Sequence, residues 1–149
     1  MYATVRSQTD RCAHEMIDVV PLVMRVIRGE LREHGALEMT IPHFRTLTFV
    51  YNNERASLSD VAEHIGPSLP AMSMHVDGLV SRGLMIRQEN PEDRRRMTLS
   101  LTSLGRAKLD SAYQAARVHL AKSLRRPPSS DCTTIIIAMR LLRNMFSNE

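Results

Sequence analysis

The chain of 149 residues holds no tryptophan, three tyrosines and three phenylalanines. So few rings leave no sheet platform on which successive RNA bases could stack, and no motif of that kind is present. Its two cysteines, Cys12 and Cys132, lie far apart and outside any CxxC or Cys/His zinc spacing. A disulfide framework is therefore not expected, and a reducing cytoplasm is the expected location. The sequence shows no long apolar span and no signal-peptide pattern, so no membrane partner is expected either. Its six histidines, His14, His34, His43, His64, His75 and His119, form no HExxH or i, i+4 pair, which argues against a bound metal. No nucleotide loop or catalytic triad appears, so neither an enzyme nor a cofactor is expected.

Lysine is also nearly missing: 18 of the 20 basic residues are arginine. Arginine's planar fork suits phosphate and base edges better than the point charge of lysine, although genomic composition would account for the count equally well. It would not account for the placement. Between Arg82 and Arg126 stand 11 basic and 4 acidic residues, whereas every other part of the chain is neutral or slightly negative. With 43% apolar and 24% charged residues, the chain is suited to one folded domain with helical extensions.

Apolar positions Ile17, Val20, Met24, Ile27 and Leu31 step by three and four, which predicts a helix over 9–33. Pro21 inside it predicts a kink or two helical pieces. A second helix is expected over 40–52 with Thr40 as cap, a third from Ser57 or Ser59 to Gly66 with Asp60 in an imperfect capping box, and a fourth from Ser68 or Leu69 to Ser81. Leu84 to Ile86 and the alternating run Met97, Leu99, Leu101 read as a hairpin, with 88–96 as its loop. Thr102 should cap a fifth helix running to about Arg125, and a sixth should follow Pro127 and Pro128, capped from Ser129 to Asp131, with Ile135, Met139, Leu142 and Phe146 on one face.

Two short helices joined through Gly66 and followed by a basic hairpin spell a helix-turn-helix with a wing. If Met72, Val76 and Leu79 turn inward, Pro70, Ala71, Met74, Asp77 and Gly78 face outward, with Ser73 and His75 at the margins. The wing sequence Asn90-Pro-Glu-Asp-Arg-Arg, the run Leu99-Ser-Leu-Thr, Gly105, and the preceding Val76-Asp77-Gly78-Leu79 and Arg82-Gly83-Leu84 closely resemble the MarR family of winged-helix regulators. The resemblance implies a mainly α fold with a small β-hairpin wing, in which a winged helix-turn-helix of 40–102 is flanked by N-terminal (1–39) and C-terminal (103–149) dimerisation helices. It also implies a homodimeric repressor on a pseudo-palindromic operator of double-stranded DNA. A small aromatic or anionic effector is expected between the dimer layer and the winged domain.

Carried over by position, Ser68 would cap the recognition helix and touch a phosphate, and Ala71, Ser73, Met74 and His75 would face bases or backbone beside Pro70. Asp93 and Arg95 would form a pair shaping the wing, and Arg94, with Arg96 beside it, would reach the minor groove or its phosphates, where a narrow groove concentrates negative potential and attracts arginine. Met74 and Gly78 stand where such proteins often place arginines, which implies weaker major-groove discrimination and heavier reliance on the wing. His43 and Arg45 read either as a surface histidine and a structural arginine or, with Met24 and Arg28, as lining of the effector site. Read without the family, the arginine run is a solvated turn or the acid-seeking face of a protein-interaction module. An oxidant-sensing Cys12 would need an electropositive neighbour to favour its thiolate, and Arg11, next to it in sequence, points elsewhere on a helix.

Overall fold

The structure, a computed structural model, describes residues 7–33, 39–66 and 68–147, the side chain of Glu33 excepted. Six helices and one hairpin follow in the order α1 (Gln8–Glu33), α2 (Ile41–Asn52), α3 (Leu58–Ile65), α4 (Leu69–Ser81), β1 (Met85–Glu89), β2 (Met97–Leu101), α5 (Ser103–Ser123) and α6 (Ser129–Phe146). The chain divides into two compact units, Met1–Ala116 and Arg117–Glu149, with the boundary inside α5. A mainly helical fold with a two-stranded wing is therefore what this sequence forms.

Local chemistry starts and stops each element of the first unit. Thr40 Oγ1 accepts from the His43 amide while His43 Nδ1 accepts from the Thr40 amide, both at 3.3 Å. This reciprocal box uses histidine where glutamate is usual. Ser57 and Asp60 make the same box at the start of α3, so the expected imperfect box is complete. Asp60 is held below the ordinary carboxylate range, first by the Ser57 amide, then by the Ser57 hydroxyl, with a smaller contribution from Arg96. Gly66 ends α3 at φ 97°, a conformation that costs a residue with a Cβ but not glycine.

The core lies among α2, α3, α4 and the hairpin, where Leu47, Val61, Met72, Val76 and Leu79 are buried with Leu84, Met85 and Leu99. Ala62 is buried where α3 meets α4, and its small side chain permits that close approach. Gly105 performs the same service where α5 begins. Its missing Cβ would lie 1.9 Å from the Leu84 carbonyl oxygen.

Four expectations need correction. Of the two outcomes expected at Pro21, the division into two pieces is not found: α1 continues through it as one helix of 26 residues, since one lost N–H bond is outweighed by the turns on either side. The first strand runs from Met85 to Glu89, leaving a shorter loop of 90–96. Strict alternation also fails in β2, where Thr98 is buried and Met97 exposed. The cause is a third edge: Ser57 bridges Thr98, the Leu99 amide donates to the Ala56 carbonyl at 2.8 Å, and the Thr98 hydroxyl donates to the Gln88 carbonyl at 3.3 Å. Finally, α6 starts at Ser129 behind Pro128 without a side-chain cap.

Apolar stripes stay open on both outer helices. In α1, Ile17 and Val20 are exposed whereas Leu31 is buried. In α6, Ile135, Met139 and Phe146 are exposed, as are Ile136, Ile137 and Leu141.

Candidate nucleic-acid interface

Ser68 caps α4, its hydroxyl accepting from the Ala71 amide at 3.4 Å. Because Met72, Val76 and Leu79 are sunk in the core, Pro70, Ala71, Met74, Asp77 and Gly78 are exposed, and Ser73 is half-buried. His75 is half-buried, as its margin position predicts, and its ring is engaged with α2. Its ring stacks on that of His43 with centroids 4.9 Å apart, and its Nε2 shares a hydrogen bond of 3.1 Å with Thr46 Oγ1. Burial lowers its pKa, partly offset by a hydrogen bond to the Pro42 backbone. A neutral ring locking α4 to α2 follows from those contacts.

The wing is braced at three points. At its base, Arg87 reaches Asp77 on α4 at 2.7 Å. On its flank, Glu92 accepts from Arg55 at 2.7 Å, tying the loop to the turn before α3; Arg55 holds an unusual φ of 62° for a residue with a side chain. Within the loop, Asp93 Oδ1 accepts from the Arg95 amide at 3.0 Å, and its Oδ2 lies 4.0 Å from Arg96 Nε. Asp93 thus shapes the wing through the backbone of Arg95, while its ion pair is with Arg96. Among the described residues, Arg94 and Arg95 have no acidic partner. The hairpin, tied to α4 at its base by Arg87 and Asp77, therefore holds two uncompensated guanidinium groups in solvent.

Sequence reading missed Arg55, Asp77 and Arg87 as braces. Arg55 and Glu92 are 37 positions apart, and no local spacing signals such a pair.

A cavity of about 810 Å³ lies under α1, lined by Arg25, Arg28, Leu31, Arg32, Met39, Thr40, Ile41 and Pro42. Of the four suggested ligand residues only Arg28 lines it. Met24 is half-buried outside it, Arg45 is exposed, and the His43 ring is engaged with Thr40 and His75. Arg25 and Arg32 were missed, although with Arg28 they follow the three-and-four step of one helix face. Among the described residues no cluster of three His, Cys, Asp or Glu side chains could hold a metal; His34 lies outside those residues. Cys12 is exposed and Cys132 half-buried, both as free thiols. None of the helices among the described residues is long and apolar enough to cross a membrane.

A capped helix pair meeting across Gly66, followed by a braced basic hairpin, defines a winged helix-turn-helix protein. Residues 39–97 match the MarR family model, and the domain this chain carries there is a MarR-family domain. The HTH-type transcriptional regulator YfiV of Bacillus subtilis (strain 168) is 29% identical over 96 residues, 64% of this chain and 60% of that protein. The chain thus spans about three fifths of that relative's length. Among solved structures, Rv1404 from Mycobacterium tuberculosis superposes with a TM-score of 0.83 at 21% identity, covering 94% of this chain and 95% of that one. The transcriptional repressor CouR, bound to a 23-mer DNA duplex, gives 0.69 at 20% identity, covering 95% and 98%. At such identities the superpositions establish the shared fold. The curated relatives are named as transcriptional regulators, not enzymes.

Proposed function

We propose that the protein is a DNA-binding transcriptional regulator that acts as a homodimeric repressor. The observation that carries this reading is the pair of arginines, Arg94 and Arg95, without an acidic partner among the described residues, held on a braced wing whose base is tied to α4 by Arg87 and Asp77. The exposed face of α4 would lie in a major groove, and the arginines would meet the adjacent minor groove or its phosphates, where a narrow groove concentrates negative potential. The open stripes on α1 and α6 supply the apolar surface that a second copy would cover. A two-fold dimer would present its recognition helices to successive major grooves, roughly 34 Å apart, so occupancy alone would block a promoter.

The arginine-lined cavity supports an anionic effector. An anion held by Arg25, Arg28 and Arg32 next to the first turn of α2 would release DNA by favouring the wrong helix spacing, with a coupling of about 1 to 3 kcal/mol.

The test is selection of bound fragments from the source genome at physiological salt, followed by fluorescence anisotropy on the enriched duplex against a scramble. Wild type should bind an inverted repeat well above the scramble, with affinity falling steeply with salt. Arg94→Ala should weaken binding and reduce the salt slope by about one contact. Weak, uniform binding with no enriched sequence would sink the reading and favour a wing that meets an acidic protein partner.

A further inference from the structure

The outer face of α4 contains no lysine or arginine. Its one charged side chain, Asp77, is taken up by Arg87 at 2.7 Å. Its remaining donors are withheld or few: the His75 ring is bonded to Thr46 on α2, and the Ser73 hydroxyl is half-buried. The face therefore lacks the forked cation that reads guanine O6 and N7. What it does present is an isolated thioether. Met74 is 77% exposed, with Pro70 and Ala71 one turn before it and Gly78 one turn after. Apart from the backbone of its own helix, no atom lies within 4 Å of the place where a Cβ on Gly78 would stand. Small residues one turn to either side thus flank one flexible apolar side chain, on a helix tied to the base of the cationic wing by Asp77 and Arg87.

A solvent-exposed methionine at the centre of a DNA-facing surface needs an apolar counterpart there. In the major groove only one base edge is apolar, the C5-methyl group of thymine. We infer that Met74, supported by Ala71 and Pro70, reads thymine C5-methyl groups, so that α4 selects base pairs by their methyl groups while the wing arginines supply the electrostatic attraction. The inference rests on the DNA-binding reading above and adds the chemical feature that the helix recognises. Methionine suits the task because its three rotatable bonds and polarisable sulfur let it settle against a methyl without a fixed hydrogen-bond geometry.

The experiment uses the full chain and the enriched duplex in two forms, one with thymine and one with deoxyuridine at the thymines of both half-sites. Deoxyuridine keeps every hydrogen-bonding group and removes only the methyl. Anisotropy titrations are run for wild type and Met74→Ala, with unchanged thermal unfolding of the variant as the control for its fold. Wild type should bind the deoxyuridine duplex about fourfold more weakly per contacted methyl, the equivalent of about 0.8 kcal/mol for one methyl-sized group at 1.4 kcal/mol per tenfold. Met74→Ala should bind both duplexes alike, at the level of wild type on deoxyuridine. Equal wild-type affinity for the two duplexes, or the same loss in Met74→Ala, overturns the inference while leaving specific DNA binding intact. Failure to enrich any sequence removes the DNA reading and this inference with it.

Discussion

Replacing Gly105 by alanine tests whether the wing's junction with α5 is as tight as its geometry requires. A Cβ there would lie 1.9 Å from the Leu84 carbonyl oxygen and 2.8 Å from its carbon, so about 1.5 Å of separation is needed to restore an ordinary contact. Leu84 has little room to yield. Its carbonyl accepts from the Thr102 amide at 3.1 Å, its amide donates to Leu79 at 3.0 Å, and its side chain is in the core. The Gly105 amide is itself held by Thr102 Oγ1 at 2.9 Å. Overpacking of this kind costs about 1 to 3 kcal/mol, and loosening the Leu84–Thr102 bond adds about 1 kcal/mol. Alanine returns about 1 kcal/mol through its helix propensity. The net is a destabilisation of about 2 kcal/mol, or a fall in Tm of roughly 4 to 8 °C for a chain of this size. Calorimetry at matched protein concentration reads it, since self-association would shift Tm by mass action. Gly78→Ala is the control: it lies inside a helix with open space around it, so the same substitution should stabilise by about 0.5 to 1 kcal/mol. A Gly105→Ala chain that melts at or above wild type would refute the reasoning.

Three further substitutions probe the same frame. Leu79→Ala empties a side chain with no exposed surface and should cost about 2 to 5 kcal/mol in urea unfolding; a loss below 1 kcal/mol would mean that α4 is not anchored through it. Ser57→Ala should cost about 1 kcal/mol at neutral pH. Because the folded pKa of Asp60 is depressed by Ser57, that stabilisation is complete above the unfolded carboxylate value and is lost as pH falls through the lower folded one. The variant keeps the Ser57 amide bond to Asp60 and loses only the hydroxyl's share, so the gap between wild type and variant should narrow, without closing, in strong acid, and a gap constant with pH would count against the hydroxyl's bond to the carboxylate. For His75, burial depresses the folded pKa below 6.5, so the unfolded chain takes up the proton first. Its neutral ring contributes fully above pH 6.5, and the contribution disappears as pH drops through the lower folded value. Between pH 7.5 and 5, His75→Gln should show a flatter dependence of stability on pH than wild type; parallel profiles would place the titration elsewhere.

The parts of this molecule that could be read in advance share a short range. Thr40, Ser57, Ser68 and Thr102 act on amides three residues away, and Gly66 turns the chain where it stands. The inward set Met72, Val76 and Leu79 follows from helical period alone. Reading failed where a partner came from elsewhere. Thr98 belongs to the outward set of its strand by alternation, yet Ser57 arrives at its edge and covers it. His75 sits at the margin of a DNA-facing helix by period, yet Thr46, 29 positions away, takes its ring.

Sequence by itself determined where the helices of the winged region begin and end, which face of α4 turns outward, and that the densest positive charge falls on a loop, because capping and periodicity act over three or four residues. Tertiary structure alone decided which polar side chains remain available. It paired Asp77 with Arg87 and Glu92 with Arg55, engaged the His75 ring with Thr46, and left Arg94, Arg95 and Met74 exposed. An ion pair or a buried ring depends on distances through space, and those exist only once the chain has folded.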